Sequence, residues 1–587
     1  MASEPNITSI AKGFFYGDVN EDDIFPFPRL NDDQLDMVKA MVPAVNRFAQ
    51  DNFDSEKMDI EAMIPDDILN GLAELGLFGL AVPEELGGLN LDYTLYARVF
   101  SEVAAFDGAV ATTLGAHQSI GYKALLEFGS KEQKEKWLPV LATGEVKAAF
   151  CLTEPGSGSD AYSIKTKAVD NGDGTYTLKG QKLWITNGGM AGFYSVFAKT
   201  DHEVDGKSIE KITCFIVEKD MEGVSFGEKE SKMGIRASET RAVYFDNVKV
   251  PKENIIGDLG KGFKIAMNVL NTGRLSLGSG SVGGMQSIIK LAVAHAKTRH
   301  QFDRPIKDFG IIQEKLSRMA ADCFAAESIV YMTTGKMCEG MEDFSVESAI
   351  CKVFCSEKLW TTIDQAMQIS GGNGYMTEYP YERIMRDSRI NLIFEGTNEI
   401  LRVFIALSGI KGPSEDLKEL GKITDVSKVL NDPIKSVGIL SNFATKRLGK
   451  MISTKHLSNA HESLENLASD FSSMLSDFSI KVENTLFKYG KNIIGNELPQ
   501  KRIADMAISL YVTLAVLSRT TTILDDDKID QKQKDYILSL AQIACSDARH
   551  TFMENFKKMD KNLDKIVMAA SEGVCERDGI GFDIIDY

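Results

Sequence analysis

Apolar residues in the first 146 positions recur at the spacing of an amphipathic helix. One such face is formed by Leu35, Val38, Met41, Val42 and Val45. A second helical run opens at Pro65, with Asp66 and Asp67 in its first turn, where acidic side chains suit the helix dipole. Residues 131–138 return to the same period. This spacing predicts a helical domain over residues 1–146.

Between residues 147 and 255 the period shortens to two, which is the period of a strand. Ile164, Thr166 and Ala168 alternate with lysines, and turn-forming residues at 171–174 separate this run from a second alternating run. Two alternating runs around such a turn are typical of a β-hairpin. We therefore predict a small β domain over residues 147–255.

Helical spacing returns after residue 256 and continues to the end of the chain. The glycine-rich stretch Gly278–Met285 follows no predicted strand, so we interpret it as close helix packing rather than as a phosphate loop. A later apolar stripe is formed by Ile503, Met506, Ala507, Leu510, Leu514 and Leu517. The pattern predicts helical domains over 256–415 and 416–587, and a mainly α chain with one small β domain.

Composition excludes some classes of function. The chain has 587 residues and a formal net charge of −18. Such a chain repels the phosphates of nucleic acids, and no long Lys/Arg block offsets this, so we expect no nucleic-acid binding. The eight cysteines form no CxxC pair, and we expect them to be buried thiols in a reducing compartment.

The N-terminal residues show neither the apolar run of a secretory signal nor the Arg-rich pattern of a transit peptide. The apolar stretch around 506–517 is too short to span a bilayer. We expect a bacterial cytoplasmic protein, with a matured organellar form as the less favoured alternative.

Two short motifs with chemical potential lie in the predicted β domain. The stretch Phe150–Asp160 contains a Gly-Ser-Gly-Ser run whose N–H groups and hydroxyls could hold a pyrophosphate or a carbonyl edge, although such runs also form plain turns. The stretch Leu183–Gly189 contains Trp184, which could cover a planar ring or anchor the core, and Thr186, which could hydrogen-bond a ring nitrogen.

Two further motifs lie in the helical region that follows. The stretch Arg299–Pro305 ends a predicted helix, and the Arg299 guanidinium suits either a phosphate or the helix dipole. The stretch Gln368–Tyr375 has a glycine-rich turn that either lets a nucleotide approach the backbone or only ends a helix. No cluster with metal-ligand spacing occurs in the sequence, so we expect no metal site.

The fifth motif, Ile393–Arg402, supplies a candidate base. Glu395 stands between Phe394 and Gly396, and an apolar neighbour raises the pKa of a carboxyl towards neutrality, where it is an effective base. Taken by itself, this motif favours a solvated loop acid over a base. The competing carboxylate, Glu399, fits the first turn of a helix better.

These five motifs, in this order, resemble signatures of the acyl-CoA dehydrogenase family. The matching segments are CLTEPGSGSD, KLWITNGG, TRHQF, QISGGNGY and IFEGTNEILR, with MGIRASETRAVYFDNVKVP between them. The resemblance covers about residues 60–410. The additional helical region, together with GAHQSIGYK and FGIIQEKLSRMAADCFAAESIVYM, resembles the very-long-chain branch. The implied fold is an N-terminal helical domain, a central β-barrel-like domain, a C-terminal four-helix bundle and an additional C-terminal helical domain.

The resemblance implies an FAD-dependent enzyme that converts acyl-CoA to trans-2-enoyl-CoA in fatty acid β-oxidation. Glu395 would remove the α-proton while the β-hydride passes to the flavin. Electron-transfer flavoprotein would be the acceptor, and the chain would form a homo-oligomer, with a dimer favoured.

The resemblance also assigns roles to individual residues. Residues implied to line the flavin and the substrate edge are Phe150, Leu152, Thr153 and Ser159, with Trp184 and Thr186 against the flavin ring. Residues implied to hold a flavin across a subunit interface are Arg299, Gln301 and Phe302 from one side and Gln368, Gly371 and Gly372 from the other. Residues implied to contact the rest of FAD are Thr397 and Asn398, and those implied to contact acyl-CoA are Ser159, Arg274, Phe394, Gly396, Gly115 and Ala116.

Some positions depart from the family pattern. Gly115 and Ala116 stand where medium-chain relatives carry bulkier groups, so we expect a deeper pocket and long acyl chains. Asn271 replaces an acidic residue of many relatives, which weakens the expected contacts to CoA adenine.

Three alternatives stay open at this point. The chain could be an acyl-CoA oxidase, which shares the fold and the base, or a non-catalytic assembly protein of the same fold. The basic stretch 435–456 could lie on an anionic membrane surface, although this contact is not favoured.

Overall fold

The computed structural model describes residues 9–423, 457–583 and 585. They fall into two compact units. One contains residues 9, 22–401 and 515–544, and the other contains residues 10–21, 402–423, 457–514, 545–583 and 585. The basic stretch 435–456 lies outside the described residues, so the idea of a membrane-surface helix there stays a prediction.

Residues 9–146 are mainly helical, as the apolar spacing predicts. The helices are α1 (Ile10–Phe14), α2 (Asp32–Asn52), α3 (Ser55–Glu61), α4 (Asp66–Glu74), α5 (Tyr93–Phe106), α6 (Gly108–Gly115), α7 (Lys123–Phe128) and α8 (Lys131–Ala142). Capping boxes at Asn31 and Ser130 start α2 and α8, because each side chain accepts a hydrogen bond from the backbone three residues on. Pro65 precedes α4 directly.

A π-helical segment, Ala116–Gly121, connects α6 to α7 and fixes the first strand. Its His117 is fully buried; Nδ1 accepts a hydrogen bond from the Ala148 N–H (2.8 Å), and Nε2 lies 3.0 Å from the Leu141 carbonyl. This pattern assigns the proton to Nε2, and burial lowers the pKa of His117 to about 3. His117 is therefore a neutral structural group that joins the helices to the sheet.

The β domain is one mixed sheet. Its strands are β1 (Ala148–Cys151), β2 (Lys167–Asp170), β3 (Thr175–Thr186), β4 (Phe193–Val204), β5 (Lys207–Glu218), β6 (Val224–Phe226), β7 (Thr240–Pro251) and β8 (Ile255–Ile256). The strand order is β6-β7-β3-β2-β4-β5-β8, with β1 parallel to β4. The predicted hairpin is confirmed, since β2 and β3 pair antiparallel around Gly172 and Gly174, both with positive φ.

The region after the sheet is again helical. Its elements are α9 (Gly262–Thr298), the hairpin β9 (His300–Gln301) and β10 (Arg304–Pro305), α10 (Gly310–Cys338), α11 (Ser345–Ser370), α12 (Gly372–Tyr375), α13 (Tyr381–Arg389) and α14 (Asn398–Ile423). Helices α9, α10 and α11 pack on one another, and α9 and α10 also pack on α5. The predicted fold class, mainly helical with a small β domain, is confirmed.

The last helices are α15 (Glu465–Tyr489), α16 (Glu497–Leu524), α17 (Gln531–Asp560) and α18 (Asp564–Glu576). In the second unit, Phe14 and Phe15 of α1 pack edge-on against Phe471 and Phe478 of α15, with ring centroids 6.2 and 5.0 Å apart. The N-terminal residues 10–21 thus belong to the unit of the late helices. Local periodicity carries no signal for such a distant contact.

The structure tests two expectations from the sequence, one about the apolar stretch around 506–517 and one about the cysteines. The expectation that the apolar stretch around 506–517 is too short to span a bilayer is wrong, because it lies in α16, which is long and apolar enough to cross a membrane; 89% of the most apolar window of α16 is buried within the protein. Six of the eight cysteines are buried, whereas Cys338 and Cys575 are exposed, so the expectation of buried thiols is wrong at those two positions.

Candidate active site

A cavity in the first unit has a volume of about 1060 Å³, open mouth included. Its walls come from α5, α6, the π-helical segment, α9 and the stretch from α13 to Glu395. Predicted site residues that line it are Gly115, Ala116, Thr186, Phe394 and Glu395. The structure therefore brings together the fifth motif, the end of the second motif and the two small residues of the proposed acyl pocket.

A row of small side chains on α9 forms one wall of the cavity. It runs along Gly273, Ser276, Gly280, Ser281, Gly284 and Ser287. Apart from Ser281, which directly follows Gly280, these positions recur every three or four residues and share one face of the helix. At a rise of about 1.5 Å per residue, the row extends for about 21 Å.

The glycines of α9 have two different functions. A Cβ on Gly283 would lie 1.9 Å from the Ser101 carbonyl oxygen, so Gly283 permits the close packing of α9 on α5. Gly280 and Gly284 instead line the cavity. The interpretation as close packing is therefore correct for Gly283, while two neighbouring glycines keep space open.

Glu395 lies at the Gly273 end of this row. A Cβ built on Gly273 would be 3.1 Å from Glu395 Oε2, so only glycine leaves room for the carboxylate. Oε2 is buried and has no hydrogen-bond partner among the described residues. Burial raises the pKa of Glu395 to about 7, against the lowering effect of the charges on Arg274 and Lys352.

The backbone around Glu395 is left-handed. Glu395 has φ 59° and Gly396 has φ 90°. A positive φ is unfavourable for a residue with a Cβ and is retained where the surroundings enforce it, often at functional sites. Glycine suits position 396, since its φ is one that glycine adopts freely.

Arg274 lies behind Glu395. Its Nε donates to the Glu395 carbonyl oxygen (3.2 Å), Nη1 donates to Asn271 Oδ1 (2.8 Å), and the residue is only 6% exposed. Burial lowers the pKa of Arg274 to about 10, and the Glu395 charge opposes this. In the structure Arg274 supports the base loop, and its implied contact with CoA stays a prediction.

The first two motifs are held together in the β domain. Lys182, which is buried, donates to the Leu152 carbonyl (3.0 Å) and pairs with Glu154 (2.7 Å). The N–H of Leu183 donates to the Thr153 carbonyl (3.0 Å). Phe150 packs on Phe197, Leu152 is buried, Thr153 is half-buried, and Ser159 is exposed.

Trp184 and Thr186 end β3 side by side with these residues. Trp184 has φ 57° and a ring that is 62% exposed, so the alternative of a core anchor is wrong. An exposed indole, a half-buried threonine beside the cavity and an unpartnered carboxylate oxygen fit a planar cofactor that lies over this edge of the sheet.

The third and fourth motifs lie away from the cavity, on the surface. Arg299, Gln301 and Gln368 are exposed, and Phe302 is 87% exposed with φ 51°. Gly371 and Gly372 are exposed as well, and a Cβ there would meet open space. The structure does not bring these residues to Glu395 within one chain.

The start of α14 follows Glu395 closely. Thr397 Oγ1 accepts a hydrogen bond from the Ile400 N–H (3.3 Å). Asn398 is 1% exposed; its amide donates to Ser356 and Glu357 and accepts from Lys352 (2.7 Å). The Asn398 side chain thus holds the loop from inside, which leaves its implied FAD contact without an exposed side-chain atom.

Sequence reasoning missed Lys352. Its side chain is fully buried in α11, and Nζ donates to the Gly396 carbonyl (2.7 Å) as well as to Asn398. Its neighbours Ile350, Cys351 and Val353 are buried too. Residues Val346–Val353 of α11 are all buried, and a stretch that is buried on all sides gives no periodic signal that would single out one lysine.

Models of one family match the chain domain by domain. The acyl-CoA dehydrogenase N-terminal domain matches residues 36–145, the middle domain 149–248 and the C-terminal domain 260–409, and the ACAD9/ACADV C-terminal domain matches 462–580. A very long-chain specific acyl-CoA dehydrogenase of mitochondria from Bos taurus is 43% identical over 97% of this chain and 88% of that protein.

Solved structures agree with these matches. An acyl-CoA dehydrogenase complexed with FAD from Bacillus anthracis has a TM-score of 0.77 at 34% identity and covers 95% of this chain and 94% of that chain. A chain from a structure described as an electron transferring flavoprotein of Acidaminococcus fermentans has a TM-score of 0.61 at 35% identity and covers 65% and 99%.

Fold, site and matches together define a flavin-dependent oxidoreductase of acyl thioesters. The chain belongs to the acyl-CoA dehydrogenase family. It is an FAD-dependent acyl-CoA dehydrogenase of fatty acid β-oxidation, which confirms the predicted family, activity and cofactor.

Proposed function

We propose that the enzyme oxidises long-chain acyl-CoA and that Glu395 is the base. The observation that carries this proposal is a carboxylate at one end of a cavity walled by small side chains, whose buried Oε2 has no hydrogen-bond partner among the described residues. The similarity to very long-chain specific relatives supports the same substrate class.

The base has to be both enclosed and ionised. Enclosure removes the water that would otherwise stabilise the carboxylate, and a pKa of about 7 makes Glu395 basic enough to take an α-proton yet half-ionised at neutral pH. The Glu395 N–H would donate to the thioester carbonyl and stabilise negative charge there as the proton leaves. When bound, FAD supplies the acceptor for the β-hydride.

The acyl chain would lie along the row of small residues on α9. Each methylene buried there contributes about 0.8 kcal/mol. Gly115 and Ala116 on the opposite wall add no bulk. A row of about 21 Å suits a long chain, and discrimination between neighbouring chain lengths should be weak, because one methylene distinguishes substrates by only about 1–3 kcal/mol.

The exposed third and fourth motifs support a homodimer. Arg299, Gln301 and Phe302 would meet the FAD of a second copy, together with Gln368 and the open backbone at 371–372. An exposed guanidinium fits a phosphate, and burial of an exposed phenyl ring against a second chain is favourable because it removes apolar surface from water. We also propose electron-transfer flavoprotein as acceptor and the bacterial cytoplasm as location.

Turnover with acyl-CoAs of graded length tests the substrate class. The expected result is kcat/KM that rises from butyryl-CoA to palmitoyl-CoA. A far lower value for palmitoyl-CoA would contradict a long-chain role. Parallel measurement of hydrogen peroxide and of dye or flavoprotein reduction separates a dehydrogenase from an oxidase, which would produce peroxide in step with turnover.

A further inference from the structure

Lys352 is the feature of the site that the reaction described so far leaves unused. A lysine with no exposed side-chain surface is rare, since removing an ammonium group from water costs several kcal/mol unless partners replace the lost hydration. Its Nζ has two such partners, the Gly396 carbonyl and Asn398 Oδ1, both at 2.7 Å. Neither partner is charged.

One partner of Lys352, Gly396, belongs to the loop of the base, and the other, Asn398, is the first residue of α14. Glu395 and Gly396 are successive residues with positive φ, and each of their carbonyls accepts a hydrogen bond from a buried cation. Arg274 on α9 binds the Glu395 carbonyl (3.2 Å), and Lys352 on α11 binds the Gly396 carbonyl. The two helices thereby hold an unfavourable backbone conformation from two sides.

Lys352 also ties this loop to the start of α14. The Asn398 amide donates to Ser356 Oγ and Glu357 Oε1, each at 3.1 Å, on the same helix as Lys352. Lys352, Ser356 and Glu357 therefore present one face of α11 to Asn398. A shift of Lys352 would release both ends of the short segment from Gly396 to Asn398.

The charges around the base come from several elements. Those that act on Glu395 are Arg274 on α9 and Lys352 on α11, and those that act on Lys352 are Glu395, Arg274, Glu357 on α11 and Glu399 on α14. No ion pair of Lys352 occurs among the residues of the described chain. Burial lowers the pKa of Lys352 to about 7, and the negative charge of Glu395 is the first effect that opposes this.

We propose that Lys352 is a positioning residue, which fixes the left-handed loop of Glu395 through Gly396 and Asn398 and whose charge favours the ionised, proton-accepting form of Glu395. The proposal rests on the role of Glu395 as the base. Lys352 does not contact substrate; it acts through the group that does.

The variant Lys352→Met tests both parts. Methionine is close to lysine in length and fills the site without a donor or a charge. The variant loses the two hydrogen bonds that Lys352 donates to Gly396 and Asn398. Glu395 also loses a neighbouring positive charge that lowers its pKa, and an opposite charge nearby shifts the pKa of a carboxyl by about one unit or more. The acid limb of the pH profile of kcat/KM should therefore move to higher pH by about one unit, so that activity is reduced about tenfold more at pH 6 than at pH 9.

Matched variants separate charge from scaffold. Lys336, on α10, is 3% exposed and pairs with Glu339 (2.7 Å), so Lys336→Met removes a buried lysine elsewhere and should leave the acid limb in place. Asn398→Ala removes one hydrogen-bond acceptor of Lys352 but no charge. It should reduce kcat and leave the acid limb of the pH profile at its wild-type position. Lys352→Gln is the second charge-free variant if the methionine variant fails to fold.

The outcomes distinguish this proposal from the assignment of the base. A Lys352→Met or Lys352→Gln enzyme that is uniformly slower at every pH, with its acid limb at the wild-type position, overturns the role of the charge. Turnover by Glu395→Gln would instead contradict the assignment of Glu395 as the base, whatever the Lys352 variants show. An upward shift in the Lys352 variants, with Lys336→Met unchanged and Glu395→Gln inactive, is the expected result.

Discussion

The cavity wall on α9 predicts how the enzyme can be converted to shorter substrates. Gly284 lies about 16 Å from Gly273 along the helix, and Gly280 about 10 Å, at about 1.5 Å per residue. A Cβ on Gly284 would meet only the flexible end of Leu359, with its nearest atom at 3.1 Å. The change Gly284→Leu should therefore fold, and leucine is favoured over glycine in a helix by roughly 1 kcal/mol.

The size of the effect follows from the space that is lost. A leucine side chain contributes four carbons and would displace about four methylenes of a long chain, each worth about 0.8 kcal/mol. The loss is about 3 kcal/mol, or roughly 200-fold in kcat/KM for palmitoyl-CoA, since each 1.4 kcal/mol is about tenfold. Octanoyl-CoA, which ends before Gly284, should be converted within about twofold of the wild-type rate, because no methylene is displaced.

The assay is steady-state turnover of butyryl-, octanoyl-, dodecanoyl- and palmitoyl-CoA with an artificial electron acceptor. Gly280→Leu should lower the upper chain length further than Gly284→Leu. Gly278 is the control, since it faces α10 and α11, where a Cβ would have ordinary contacts of 3.4–3.7 Å, and Gly278→Ala should leave the length profile unchanged. Equal losses on all four substrates would refute the placement of the acyl chain along α9.

Three further predictions concern the base and the cofactor. The acid limb of kcat/KM should fall about tenfold per pH unit below a pKa of about 7, because protonated Glu395 cannot accept a proton; a limb near pH 4.5 in the pH–rate profile would contradict this. Since the folded pKa of Glu395 lies above its usual 4.5, its stabilising contribution is complete below pH 4.5 and is lost as pH rises through 7. Between pH 5 and pH 8, the free energy of unfolding of the wild type, measured with denaturant, should therefore fall by up to about 3 kcal/mol more than that of Glu395→Gln. An equal change in both proteins would contradict the burial of this charge. Arg299→Ala should lower the flavin absorbance per protein while circular dichroism stays unchanged, whereas full flavin occupancy would argue against a role for this surface.

The sequence predicted the order of domains because helices and strands impose different periods on apolar residues. The hairpin at 171–174 followed from its turn residues, which local backbone preferences determine. The packing of Phe14 on α15 could not be predicted, since it joins positions more than 450 residues apart. The sequence also could not show which glycines of α9 pack against another helix and which line the cavity, because Gly283 and Gly284 differ only in which neighbour each faces.

The residue types of the candidate site could be predicted from the sequence, but the buried residues that hold the Glu395 loop in place could not. Glu395 was singled out by Phe394 and Gly396, and the structure adds its burial and left-handed backbone. Lys352 and the inward orientation of Arg274 were not foreseen, because each lies in a stretch of its helix whose residues are all buried, 346–353 on α11 and 272–276 on α9, and such a stretch shows no polar face. Supports of this kind become visible only when hydrogen bonds between distant helices are known.

Anaerobic stopped-flow mixing of Glu395→Gln with palmitoyl-CoA tests the assignment of the base most directly. Glutamine keeps the size of the side chain but cannot accept the α-proton, so the variant should bind FAD with an unchanged visible spectrum. Reduction of the flavin should be slowed by a factor of about 10⁴, the upper range for the loss of a general base. Flavin reduction within tenfold of the wild-type rate would contradict the assignment.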